Sequence, residues 1–116
     1  MKDNTISASL AIMEYAALMS VFIAKKAVYN SAAEQESHLR ALRSQNEEEI
    51  SHTGDAYVAL TKMIERAEMQ KISALRELKD TAILFLETVE RLEAETSIRP
   101  NADYVAQAQH AIRKMA

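Results

Sequence analysis

Cysteine and tryptophan are absent from this chain, and glycine and proline occur once each, as Gly54 and Pro100. Without cysteine there is no disulfide framework, no thiolate zinc site and no thiol nucleophile. Average usage would give a chain of this length about 14 glycines and prolines together. Strands need the turns those residues make, so a sheet-based fold is disfavoured. A single glycine also rules out a Gly-rich phosphate-binding loop. Aromatic residues are scarce, four Tyr and two Phe, and the apolar stock is Ala, Leu, Ile and Met, which suits helix interiors better than pleated sheets. The six methionines are flexible apolar side chains that fill cores and adaptable surfaces alike.

What is present points to an all-α fold, a helical bundle or helical hairpin, in one domain over residues 1–116. The chain is 48% hydrophobic and 27% charged, a globular balance. Its net charge of -3 is uneven: residues 1–33 sum to +1, 34–95 to -6 and 96–116 to +2. An acidic middle argues against a nucleic-acid groove.

Capping and break signals divide the chain into helices at about 5–29, 31–52, 55–95 and 101–115. The first has Asp3, Asn4 or Thr5 as N-cap candidates and Asn30 and Ser31 as its break. Between Ile6 and Ala24 its only charge is Glu14, and Lys25 and Lys26 follow at once. That pattern raises a membrane span over 6–24. Ser7, Ser9 and Ser20 dilute the run, however, and Glu14 in its middle would cost about 2.5–3.5 kcal/mol in a bilayer. A central helix wrapped by others is therefore expected, with Glu14 buried and paired to a Lys, an Arg or a Tyr hydroxyl from another helix.

The second segment opens on Ser31-Ala-Ala-Glu34, a capping box, and Ser44-Gln-Asn-Glu47 is another candidate. Either a helix starts at Ser44, or one helix runs through on the i,i+4 pairs Glu36–Arg40 and Arg43–Glu47. From Asp55 to Glu95 there is no Gly or Pro. Tyr57, Leu60, Ile64, Ala67, Ile72, Leu75, Leu78, Ala82, Phe85, Leu86, Val89 and Leu92 recur mostly at steps of three and four, which predicts one amphipathic helix of about 60 Å. Its outer face carries Glu87–Arg91 and Arg91–Glu95 pairs. Residues 82–86 are apolar on every side and are expected to be covered all round. The last helix, with Asn101 as N-cap, offers Tyr104, Val105, Ala108, Ala111, Ile112 and Met115.

Two motifs carry functional signals. Glu49-Ile-Ser-His52 places a carboxylate and an imidazole on one helical face. Ferritin-like di-iron proteins use such pairs with further glutamates, and residues 46–66 resemble the metal-bearing helix of short encapsulated ferritins. One copy is present where a full site takes two. The resemblance thus implies a metal site shared across a dimer by Glu14, Glu49 and His52. Glu14-Tyr15 within an apolar helix resembles the small pilins of tight-adherence systems, which implies a filament subunit registered by the glutamate. His38, His52 and His110 lie on separate segments without the partners that acyl transfer requires.

The expected protein is non-enzymatic, without cofactor, catalytic residue or dedicated metal site, and located in the cytoplasm. It works by helical protein–protein interaction or self-assembly, of the adaptor, secretion-chaperone or assembly-subunit type, with coiled-coil packing. The expected partner is a copy of itself or another helical protein, with neither nucleic acid nor membrane. The di-iron and membrane-associated or pilin-like readings stand as alternatives.

Overall fold

The structure is a computed structural model that describes residues 2–45 and 54–114, with side chains from residue 6 onward. The described residues contain three helices, α1 (Lys2–Gln45), α2 (Asp55–Glu95) and α3 (Ala102–Lys114), with a non-helical connection over 96–101. There is no strand among the described residues, and the fold is all-α, a helical hairpin or bundle with a long amphipathic helix.

The absence of Gly and Pro predicted α2, and its bounds match. The break predicted at Asn30 and Ser31 is not there: α1 continues through both residues to Gln45. Asn and Ser cost well under 1 kcal/mol each in a helix interior, and Ala32, one step on, is buried. Packing of that kind outweighs a local capping preference. The stretch 46–52 expected to complete the second helix lies outside the described residues. Gly54 O accepts the bond from Val58 N at 3.0 Å, so the residue marked as a break is where α2 begins.

Packing divides the chain into two units, Met1–Lys26 with Leu75–Ala116, and Ala27–Ala74. In the first unit, buried or half-buried positions of α1 fall at Ala11, Tyr15, Leu18, Phe22 and Lys25. Those of α2 fall at Leu78, Thr81, Phe85, Thr88 and Leu92, with Ala82 and Val89 beside them. Alternating steps of four and three keep one stripe of each helix facing its neighbour. Phe85 anchors this core: its ring stacks on Tyr15 at 5.6 Å and on Phe22 at 5.7 Å between centroids. Contacts of Glu14 with Arg91 and of Lys25 with Glu77 show that the two segments run antiparallel. Thr88 Oγ1, buried, donates to Phe85 O at 2.6 Å, so this polar residue enters the core without an unmet donor.

α2 ends where Thr96 folds back: its N and Oγ1 both donate to Leu92 O, at 2.9 and 2.7 Å. The predicted cap of α3 is present. Asn101 Oδ1 accepts from the amides of Asp103 at 3.0 Å and Tyr104 at 3.3 Å, which satisfies two otherwise orphaned donors. Asn101 N in turn donates to Tyr15 Oη at 2.7 Å, and Lys26 Nζ donates to Gln107 Oε1, so α3 is tied to α1 at two points. Its buried residues are Ala108 and Ala111, two of the predicted stripe.

The second unit repeats the spacing with different chemistry. Tyr29, Ala32, Glu36, Leu39 and Arg43 of α1 and Tyr57, Leu60, Ile64, Ala67, Lys71 and Ala74 of α2 are buried or half-buried. Leu39, Ile64 and Ala67 form its apolar cluster, with Leu60 packed against it. One predicted stripe residue is displaced: Ile72 is 43% exposed, and Lys71 takes the inward place. The step from Ala67 is four residues to 71 and five to 72. Spacing prevails over apolarity at that turn.

Two burial expectations for the first unit are corrected. Residues 82–86 are not covered all round, since Ile83 and Leu84 are exposed. The run 6–24 is not a helix wrapped by others either: Ala11 and Phe22 are fully buried, whereas Ile6, Leu10, Ile12, Met13, Val21 and Ile23 are exposed. Replacing Phe85 by Ala deletes the ring that two others stack on and is expected to lower stability by about 3–5 kcal/mol. Leu84→Ala, at an exposed position of the same turn, should cost less than about 1 kcal/mol. Urea denaturation of the two variants followed by circular dichroism measures the difference.

Candidate functional site

Two features stand out against this scaffold. The first is the uncovered side of α1 in the first unit. Ile6, Leu10, Met13, Ala17, Val21 and Ala24 recur at steps of three and four, and all six are exposed. Together they form a stripe separate from the inward one, and no charged residue interrupts it. In the most apolar 18-residue window of α1, 11% is buried. By length and composition this helix could cross a membrane. The core helix of a soluble protein passes the same test, but such a helix is mostly buried, and this one is not.

Glu14, the lone charge of the run, is the acceptor of a hydrogen bond from Arg91 Nη1. The expected partnership with a basic side chain of another helix is therefore present, while the expected burial is not: the Glu14 side chain is 43% exposed. Arg91, predicted to serve the outer face of α2, reaches α1 instead. Its neighbour Tyr15 is half-buried between Phe85 and the amide of Asn101. Both residues of the Glu14-Tyr15 motif thus hold α1 to the rest of the unit.

The second feature is a cluster of ions in the second unit. The side chain of Glu36 is 9% exposed. Its Oε1 accepts from Arg40 Nε at 3.0 Å, and Lys71 Nζ lies 2.8 Å from Oε2. No other donor reaches that oxygen, so Lys71 is its ion-pair partner. Arg40 also extends to Glu68, at 3.5 Å, and Arg43 lies over the Tyr57 ring at 5.7 Å, within cation–π range. The Glu36–Arg40 pair was legible as an i,i+4 spacing. Lys71 was not, because its partner lies on another helix and it occupies a core position that apolarity would assign elsewhere.

The close Lys71 ammonium, aided by Arg40 and opposed by burial, lowers the carboxyl of Glu36 below its ordinary 4.5. Contact with Glu36 raises Lys71 above its ordinary 10.5, against the effect of burial. A lowered carboxyl contributes stability that is present above 4.5 and lost as pH falls through its folded value. A raised amine contributes stability that is present below 10.5 and lost as pH rises through its higher folded value. The pair therefore supports the fold between those limits.

Of the proposed metal ligands, Glu49 and His52 lie outside the described residues, and Glu14 is engaged by Arg91. Among the described residues no group of three or more His, Asp or Glu is placed to hold a metal ion. His38 and His110 are exposed. A shallow cleft of about 530 Å³ lies between the end of α2 and α3, lined by residues that include Thr96, Ile98, Pro100 and Val105. The only charged residues in its lining are Glu93 and Arg99, which do not amount to a catalytic set.

Lys71→Met removes the ammonium and leaves Glu36 buried with Arg40 alone, and should lower stability by about 2 kcal/mol at neutral pH. The loss should shrink as pH falls from 4.5 through the lowered folded value of Glu36, where that carboxyl takes up a proton. Thermal unfolding of the variant and the parent chain across that range measures the change. No family model, no curated protein and no solved structure matches this chain.

Proposed function

We propose that this is a non-enzymatic helical protein that works by assembly, burying the exposed stripe of α1 against another protein surface, with copies of itself as the first candidates. The observation that carries this reading is the uncovered run over 6–24, in which Ile6, Leu10 and Met13 are each more than half exposed. Contiguous apolar surface of this kind is rare on a solitary soluble protein and is characteristic of contact sites. The alternating three- and four-residue steps of the inward positions support a coiled-coil description of the α1–α2 packing within each unit.

A membrane reading rests on the same residues, and the neighbouring helix weighs against it. The α2 segment that packs on α1 in this unit carries Glu77, Asp80, Glu87, Glu90 and Arg91. A span made with that packing intact would draw these charges toward lipid, at about 2.5–3.5 kcal/mol for each one at the bilayer centre. A protein surface can cover the stripe and leave α2 in water.

Sedimentation from about 1 to about 300 µM tests the proposal, because association makes the mass depend on concentration. The mean mass is expected to rise with concentration, and Met13→Asp is expected to weaken association at least about tenfold, or about 1.4 kcal/mol. A parent protein that stays strictly monomeric over the whole range, without detergent or lipid, would overturn self-assembly.

A further inference from the structure

The stripe of α1 has two unlike halves. Ile6, Leu10 and Met13 are large and 59%, 53% and 67% exposed. Ala17, Ser20 and Ala24, which follow at the same spacing, are exposed and small, and Val21 is the one larger side chain among them. From this asymmetry, and resting on the assembly reading above, we infer that the occupant of the stripe is a second copy of this chain laid antiparallel across it. Ile6 of each copy then meets Ala24 of the other, Leu10 meets Ser20 and the flank of Val21, and Met13 meets Ala17.

Such a contact is isologous, the same patch on both chains, and it closes as a pair without leaving a free face to propagate. Seating large side chains on small ones lets the helix axes approach and fills the space between them. A parallel arrangement sets large on large at one end and small on small at the other, which leaves a gap along the second half. The exposed parts of these seven side chains amount to roughly 600 Å² per chain, within reach of the ~800 Å² per partner of a standard interface once bordering side chains are included. The stripe carries no charge, so it offers a differently charged partner nothing to select, whereas its own shape complements itself when reversed.

Because the chain has no cysteine, introduced cysteines report the alignment directly. Reduced Ile6→Cys and Ala24→Cys proteins, each folded by circular dichroism, are oxidised with dissolved oxygen both separately and as an equimolar mixture. The antiparallel pair predicts a disulfide-linked dimer in the mixture and little in either protein alone. Cross-linking of each protein with itself overturns the arrangement. Ala17→Phe supplies a second readout: it enlarges the apolar surface yet should weaken dimerisation at least tenfold by blocking Met13. Tighter dimerisation by Ala17→Phe would overturn the inference, as would parent protein that binds phosphatidylcholine vesicles while remaining monomeric in their absence. A chain that sediments as a dimer but fails the cross-linking pattern loses this geometry alone, and a chain that never associates loses the assembly reading with it.

Discussion

An α-helix hides from water only the arc that its neighbours cover. A stripe repeating every three or four residues occupies roughly 100° of the helix circumference, and one or two packed helices conceal little more. In most surface helices the remaining arc is polar, so partial cover suffices. Residues 6–24 of α1 are apolar on nearly every side, so the cover that α2 and α3 provide leaves Ile6, Leu10, Met13 and Val21 in contact with solvent. Both the exposed stripe and the case for a partner follow from this mismatch between an all-round apolar helix and one-sided packing.

The two units solve the inward side by different means. In the first, Tyr15, Phe22 and Phe85 stack, and the pairs Glu14–Arg91 and Lys25–Glu77 border the contact. In the second, Glu36 and Lys71 occupy inward positions themselves. A pair of this sort, with Glu36 buried and Lys71 half-buried, adds little net stability compared with apolar residues of the same volume, but leaving the buried carboxylate alone is costly. Its effect is selective: any slip that parts Glu36 from Lys71 leaves a carboxylate without its ammonium, while an apolar seam of Leu and Ala would tolerate several alignments.

Helix content and the course of α2 were legible because they depend on local facts, the absence of Gly and Pro between 55 and 95 and the repeat of apolar residues. The Asn101 cap was legible for the same reason. The reading of Asn30 and Ser31 as a break failed because capping preferences are small and the packing of neighbouring Ala32 is a tertiary matter. Apolarity selects Ile72 over Lys71 for the inward place, whereas the spacing of the seam puts Lys71 there. The character of Glu14 was half legible: a lone charge in an apolar run needs a partner, yet which residue supplies it, and how exposed the pair remains, depends on a helix far along the chain. The pairing of Glu49 with His52 falls outside the described residues.

That distance also sets an order of events. Glu14 and Arg91 are separated by 77 positions, and at synthesis rates of about 5–20 residues per second the apolar run of α1 precedes its partner by roughly 4 to 15 s. Through that interval Ala11, Tyr15, Leu18 and Phe22 are all without the helix that will receive them. The contacts of the first unit are therefore among the last this chain can make, and a newly made α1 waits through that interval for α2.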